Sequence, residues 1–511
     1  MWKGRLALVA ALLLETANCS CFSDDSAAGV CLLQLGSSSS RLFSAARLSK
    51  LHEEARKTIA KEAEQVAGRI RSGNQELSQD EREHLARMFQ QTYQFSAAKA
   101  WSIFEKDNTT LVSTGDIRQM WLRDSSVQNE VYLPLAARSD GVYAVLASIM
   151  KRQVRFMSED MYASAFDPLG PNKEECPRTQ SCPNCRCDTC QPACGPFTYQ
   201  HDFELDAPLF VMKFHYDAWK ATGKTAHLDQ DFAVVAREVL ELLRTEQHHN
   251  AKSQYFYKAE KSQVADGTGL VWSFARPSDD QTELGYNIPQ NMMVVVVTSM
   301  ISEMASEVLK DKGLSKEAAD ISNEVEAAIE KYAVGQQGNN SKMYAFEVDG
   351  KGRQLFLDDA NMPNLLWLPF LGYKDRLVLY QDTRRYDLSA RNPNFFQDQQ
   401  QQQEQAFPVA DSGRSPVEGL GSTHESHGLR PGGSRECRGH CIWHLGLIAE
   451  GTTSQNKSEK VRILREILKT DASTNLLHEG FSPENPSQYN RDQFGWADSF
   501  FARWMLKDFA S

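Results

Sequence analysis

The chain has 511 residues, with 56 Lys and Arg against 67 Asp and Glu, for a formal charge of −11. No basic block exceeds a few residues, so the clustered cations that release counterions from a phosphate backbone are missing, and a nucleic-acid binder is excluded. Hydrophobic residues at 41% together with 30 Gly allow a large core. Length alone would suggest three domains, whereas helical and barrel enzymes of this size often form one.

The first residues set the compartment. Lys3 and Arg5 precede an apolar run from Leu6 to Leu14, and Ala17, Asn18 and Cys19 follow, the pattern of a secretory signal peptide over 1–19. The run is too short to cross a bilayer. The later apolar strip, Met292 to Met300, carries Thr298 and Ser299 and reads as a buried helix, so no membrane span is expected after signal removal. Residues 20–43 are Ser-rich and read as a flexible segment.

From Ala45 to Arg71, Leu48, Leu51, Ala55, Ile59, Ala63, Val66 and Ile70 recur at spacings of three and four, which predicts an amphipathic helix. Ser78-Gln-Asp-Glu81 is a capping box that opens a second helix through Phe89. Further helices are expected at about 125–137, 141–157, 205–222 with Gly223 after it, 228–246, 290–310, 315–334, 361–371, 441–451, 457–469 and 493–508. Strand-like alternation is confined to short pieces, Tyr255 to Ala259 and Met343 to Val348. Twelve helices in consecutive pairs predict an all-α (α/α)6 toroid, a six-hairpin barrel, with a helical-repeat solenoid as the rival; no fixed-period repeat is visible.

Two stretches interrupt the single domain expected over 44–511. In the first, 170–198, six of the eleven Cys (Cys176, Cys182, Cys185, Cys187, Cys190 and Cys194) fall within nineteen residues. Their paired CxxC spacing could ligate zinc, but after a signal peptide a disulfide-stapled loop is the favoured reading. Cys437 and Cys441 are candidates for a further pair. The second interruption, 397–440, begins with the Gln-rich run Gln397 to Gln405 and has low-complexity composition. Sequons at Asn108, Asn339 and Asn456 fit a glycosylated lumenal chain.

Three loops gather carboxylates beside Arg and aromatic residues. In the first, Gly115 permits a tight turn, Asp116 and Asp124 can each accept a pair of sugar hydroxyls, Arg123 would fix their ionised state, and Trp121 offers a stacking face; helix capping is the competing role for both Asp. The second holds the doublet Asp279–Asp280 after Arg276. Adjacent carboxyls raise each other's proton affinity only if they point the same way, and in extended chain they point apart. The third places Glu479 after His478 in a Gly-bounded loop, a candidate base. Glycoside hydrolysis by inversion needs two carboxyl groups, one to protonate the leaving oxygen and one to activate water; Asp279 or Asp280 with Glu479 supplies them. There is no GxSxG elbow, HExxH, Walker loop or dinucleotide fingerprint.

The motifs TGDIRQMWLRDSS (114–126), FARPSDD (274–280), YNIPQNM (286–292), LDDANMPNLLWLPFLG (357–372), TRRYDLSARNP (383–393), EGLGSTH (418–424), IWHLGLI (442–448) and HEGFSPENPSQYNRDQFGWADSFFA (478–502) together resemble glycoside hydrolase family 125. The resemblance spans about 45–510. It implies an (α/α)6 inverting exo-α-1,6-mannosidase that uses no metal or other cofactor and acts on a mannose-containing oligosaccharide in the secretory lumen or outside the cell. By resemblance the general acid falls on the Asp279–Asp280 doublet, with Asp280 preferred, and the general base on Glu479. Asp116, Arg123, Asp124, Arg276, His424, Trp443 and His478 fall on positions expected to bind the sugar. Thr423 stands where the family has Pro, and Glu425 to His440 is interposed before IWHLGLI. An inactive glycan-binding homologue with a disturbed rim is therefore the alternative.

Overall fold

The computed structural model describes residues 44–73, 75–170, 194–255, 264–337, 341–373, 377–397, 417–422, 437 and 440–510. The signal peptide, the segment 20–43, most of both interruptions and the strand expected after Tyr255 lie outside the described residues.

The helices used below are α1 (Ala45–Ser72), α2 (Gln79–Phe95), α3 (Leu122–Glu130), α4 (Asp140–Glu159), α5 (Asp206–Thr222), α6 (Gln230–Glu246), α7 (Ile288–Met304), α8 (Lys312–Tyr332), α9 (Leu368–Leu371), α10 (Leu377–Asp387), α11 (His444–Thr453), α12 (Lys457–Thr470) and α13 (Gly495–Asp508). Six of them close a ring: α3 packs on α5, α5 on α7, α7 on α9, α9 on α11, α11 on α13, and α13 back on α3. Outside it α12, α2, α1, α4, α6 and α8 follow one another as neighbours. This is the expected (α/α)6 toroid.

The two rings differ in sequence because they differ in what surrounds them. An outer helix has one wet face, so α1 buries Leu48, Ala55, Ile59, Ala63, Val66 and Ile70 on a single stripe. An inner helix touches neighbours on both flanks and behind, which demands apolar or paired residues all round. All nine residues of α3 and all ten of α11 are accordingly buried. The expected buried strip 292–300 is the body of α7. With the π-turn that follows, Ile288–Leu309 is long and apolar enough to cross a membrane by length and composition, contrary to the reading of the sequence. Here Met292, Met293, Val297, Ile301 and Met304 are buried within the rings.

Local signals set the helix ends. Ser78 accepts from Glu81 N–H while the Glu81 carboxylate accepts from Ser78 N–H at 2.6 Å, the predicted capping box. Gly223 closes α5 at φ 69°, the left-handed conformation that glycine adopts without penalty. Short strands precede the inner helices: Met120–Trp121 before α3, Tyr286–Asn287 before α7 and Cys441–Trp443 before α11. They pair antiparallel with loop segments, and the largest sheet runs Phe395–Gln397, Glu418–Ser422, Cys441–Trp443, Gly480–Phe481. The strand-like stretch Met343 to Val348 overlaps Ser341–Tyr344 and contains Glu347–Val348, which pairs with Tyr286–Asn287; the other strands, two to five residues long, are too short for alternation to register. Cys437 and Cys441 form the disulfide suggested by their spacing.

Candidate active site

The first loop folds around Gly115. At φ 69° its backbone lies so close to Gln493 that a Cβ there would sit 2.0 Å from the Gln493 carbonyl oxygen. Asp116 is carried outward, where its carboxylate meets Arg491 Nε at 3.1 Å. The chain then enters α3, burying Arg123 and Asp124 in its first turn. Arg123 does not pair with both aspartates as expected. Its Nη1 donates to Glu204 and, at 3.1 Å, to Asp206, while its Nε stands 3.6 Å from Asp124 and its guanidinium 4.8 Å from the Trp496 ring centre. Burial works against the guanidinium charge, but Glu204, Asp206, Asp124 and Asp279 outweigh it and raise the Arg123 pKa well above its ordinary value. Burial, reinforced by the charge of Asp279 and opposed by Arg123, pushes Asp124 up to about 6.

The second loop separates the doublet. Asp279 N–H donates to the Arg276 carbonyl at 3.0 Å and Arg276 N–H to the Asp280 carbonyl at 2.8 Å, a tight turn that holds Asp279 at φ 66°. Asp279 lines the pocket, and Gln200 Nε2 reaches both its carboxylate at 3.4 Å and that of Glu204 at 3.2 Å. Asp280 accepts from Ser278 Oγ at 3.2 Å, and its charge acts on Arg276 and Asp359. Burial, with Asn361 N–H opposing and Asp280 adding, pushes Asp359 up to about 6. Arg276 sits behind the loop: its Nε donates to Glu347 at 2.6 Å, and the same carboxylate accepts from Glu283 and Leu284 N–H.

The third loop hangs from α13 and α11. Leu477 N–H donates to Asp498 at 2.9 Å and His478 N–H to His444 Nδ1 at 3.0 Å. His478 stacks on Tyr489 with ring centres 3.6 Å apart, and its Nδ1 lies 2.8 Å from the Arg491 carbonyl. Burial lowers its pKa. This ring braces the loop and is outside the pocket wall. Glu479 follows it, anchored by its N–H to the Asn490 carbonyl at 3.3 Å, and lines the pocket.

These loops meet over the N-terminal ends of the inner helices in a pocket of about 510 Å³, its open mouth included. The pocket brings together Arg123, Asp124, Asp279, Trp443 and Glu479 of the residues selected from sequence; Asp116, Arg276, Asp280 and His478 stand outside its wall. His424 lies outside the described residues. The sequence reading did not single out Asn361, Arg491, Phe494 and Trp496, which also line it, although all four fall inside the quoted motifs. Glu204 and Asp206 carried no signal beyond acids at the start of a helix. Trp121, Trp443 and Trp496 give the wall aromatic faces. The buried Asp124 Oδ2, Trp443 Nε1, Trp496 Nε1 and both amide atoms of Asn361 have no hydrogen-bond partner among the described residues. Buried polar atoms are ordinarily paired, so this wall offers hydrogen-bond donors and acceptors to a polar ligand. Among the described residues one trio could hold a metal, Asp160, Cys194 and His201. None of the three lines the pocket.

Comparison with known proteins agrees with this geometry. The family model for metal-independent α-mannosidases, GH125, matches residues 82–404 and 424–506. The chain is 27% identical over 453 residues to the meiotically up-regulated gene 157 protein of Schizosaccharomyces pombe, covering 83% of this chain and 82% of the yeast protein. A metal-independent α-mannosidase of Streptococcus pneumoniae, solved as a non-productive complex with α-1,6-mannobiose, superposes with a TM-score of 0.71 at 28% identity, covering 89% of this chain and 98% of that one. A bacterial glucoamylase shares the fold, at TM-score 0.51 and 10% identity over 84% of this chain and 55% of its own. The chain belongs to glycoside hydrolase family 125 and is a metal-independent α-mannosidase.

Proposed function

We propose that the enzyme is an inverting exo-α-1,6-mannosidase in which Asp279 is the general acid and Glu479 the general base. The observation that carries this is the convergence of these two carboxyl groups, from separate loops, on one pocket. Asp279 gives its proton to the glycosidic oxygen as the bond to the anomeric carbon breaks. Glu479 takes a proton from the water that attacks that carbon from the opposite face, so α-linked substrate leaves as β-mannose. The mannobiose complex of the streptococcal relative supports the 1,6-linkage. Asp279 replaces Asp280, the residue preferred from sequence, because Asp280 faces Asp359 and Arg276. The leader at 1–19 and the three sequons support action on glycans in the secretory lumen or outside the cell.

The test is hydrolysis of α-1,6-mannobiose followed by NMR. The first-formed product is β-mannose, and Asp279→Asn and Glu479→Gln each lower kcat by about a hundredfold or more, since general acid–base groups contribute about 10²–10⁴ each. Asp280→Asn retains measurable turnover. α-Mannose as first product refutes inversion, and loss on Asp280→Asn with activity kept in Asp279→Asn reverses the assignment of the acid. Binding of mannose by the wild-type chain without hydrolysis identifies the glycan-binding alternative.

A further inference from the structure

The loop before α9, Asp358 to Trp367, is cross-braced by its own polar side chains. Asp358 accepts from Leu365 and Leu366 N–H, both at 3.0 Å. Asp359 accepts from Asn361 N–H at 2.7 Å. Asn364 donates to the Asp359 carbonyl at 2.6 Å and accepts from Trp367 N–H at 2.9 Å. The side chain of Asn361 takes no part in this bracing. It is 1% exposed, lines the pocket that holds Asp279 and Glu479, and has no partner at Oδ1 or Nδ2 among the described residues.

An amide presents one acceptor and two donors in one plane. Leaving all of them idle in a buried position is unfavourable unless a ligand satisfies them. A neighbouring pair of sugar hydroxyls fits this set, one donating to Oδ1 and the other accepting from Nδ2. Asn361 belongs to the side of the pocket that holds Asp279, because Asp359, two residues before it, is hydrogen-bonded by the Ser278 side chain and feels the charge of Asp280, while Ser278 and Asp279 line the pocket with it.

We propose that Asn361 is a specificity-determining residue that reads two adjacent hydroxyl groups of the mannose unit held beside Asp279. This rests on the reading of the pocket as a mannose site, but not on turnover. Its backbone N–H braces Asp359 whatever the side chain, so substitution leaves that contact in place.

The experiment measures binding of methyl α-mannoside, and of its forms lacking the hydroxyl at position 2, 3, 4 or 6, to the wild-type chain, Asn361→Ala and Asn361→Leu by calorimetry. Leucine keeps the branched shape and removes the polar atoms, so it serves if alanine does not fold. The expected result is a loss of about tenfold or more on methyl α-mannoside, as two hydrogen bonds imply. The loss shrinks to about threefold or less for two ligands lacking neighbouring hydroxyls, since a hydrogen bond already missing cannot be lost again. An equal loss on all five ligands marks a structural role and overturns the proposal, as does no loss, or no binding by the wild-type chain. Selective loss in a chain that binds methyl α-mannoside but releases nothing from α-1,6-mannobiose would uphold it while overturning the catalytic reading above.

Discussion

Asp279 shows how much one backbone angle decides. The doublet stands out in the sequence, but which of its carboxyls lines the pocket goes with a residue at φ 66°, and side-chain type alone does not encode that. Asp and Asn visit this left-handed region more readily than other non-glycine residues because their short polar side chains bond locally. Strain of this kind clusters at functional sites. Asp279→Asn is therefore expected to melt with the wild type, whereas Asp279→Ala loses about 1 kcal/mol or more of stability, the ordinary cost of an unassisted left-handed residue. Urea unfolding of the two variants checks this, and equal stability of both would show that the turn carries no strain. The same dependence on fold explains Arg123. Its importance was visible, but its partners Glu204 and Asp206 lie about eighty residues away and only the packing of α5 against α3 brings them in.

At the level of elements, long outer helices were the most legible, because a wet face and a dry face write a period into the sequence. α1, α4 and α6 fall close to their expected ranges, α2 runs on to Phe95, six residues past its expected end at Phe89, and Gly223 closes α5 as expected. The inner helices, buried all round, lack that period. The reading failed at 361–371, where only α9, Leu368–Leu371, is helical. There the Asp358 carboxylate takes the N–H groups of Leu365 and Leu366, and Pro363 lacks an N–H to give, so helical bonding cannot begin until the loop has supplied Asn361 to the pocket. The helix α10 was also missed, and only its last residues, 383–387, fall inside a quoted motif. Close approach of helices adds a constraint that sequence states as a bare glycine. A Cβ on Gly451 of α11 would lie 2.4 Å from the Trp504 ring of α13. Gly451→Ala therefore forces those two inner helices apart and is expected to cost about 1–3 kcal/mol, as overpacking does. Thermal melting should register this as a clear drop in Tm, and an unchanged Tm would mean that the ring yields at no cost.

Across the whole molecule, most of the 67 acids are ordinary surface charge, yet a buried minority makes stability depend on pH in two opposed ways. Asp387 is fully buried, and neither carboxyl oxygen has a hydrogen-bond partner among the described residues. Burial, then the charge of Asp358, raises its pKa well above the usual carboxylate range against the pull of Arg384. His215 is its mirror image: burial, then His227, pushes it down to about 3. The signs follow from proton counting. The folded chain keeps the Asp387 proton where the unfolded chain, with an ordinary value of about 4, has released it. That contribution is complete at low pH and is lost as pH rises through the raised folded value. Folded His215 stays neutral where the unfolded imidazole protonates, near 6.5. Its contribution is complete above that value and is lost as pH falls toward 3. Asp387→Asn removes the first dependence, so its stability relative to wild type should increase from pH 5 to pH 8. His215→Phe keeps the stacking on Phe232, 4.7 Å between ring centres, and removes the second, so its relative stability should increase from pH 7 to pH 5. Each slope should approach about 1.4 kcal/mol per pH unit, read by denaturant unfolding at four pH values. Parallel pH profiles for wild type and both variants would mean that neither group titrates differently in the folded chain.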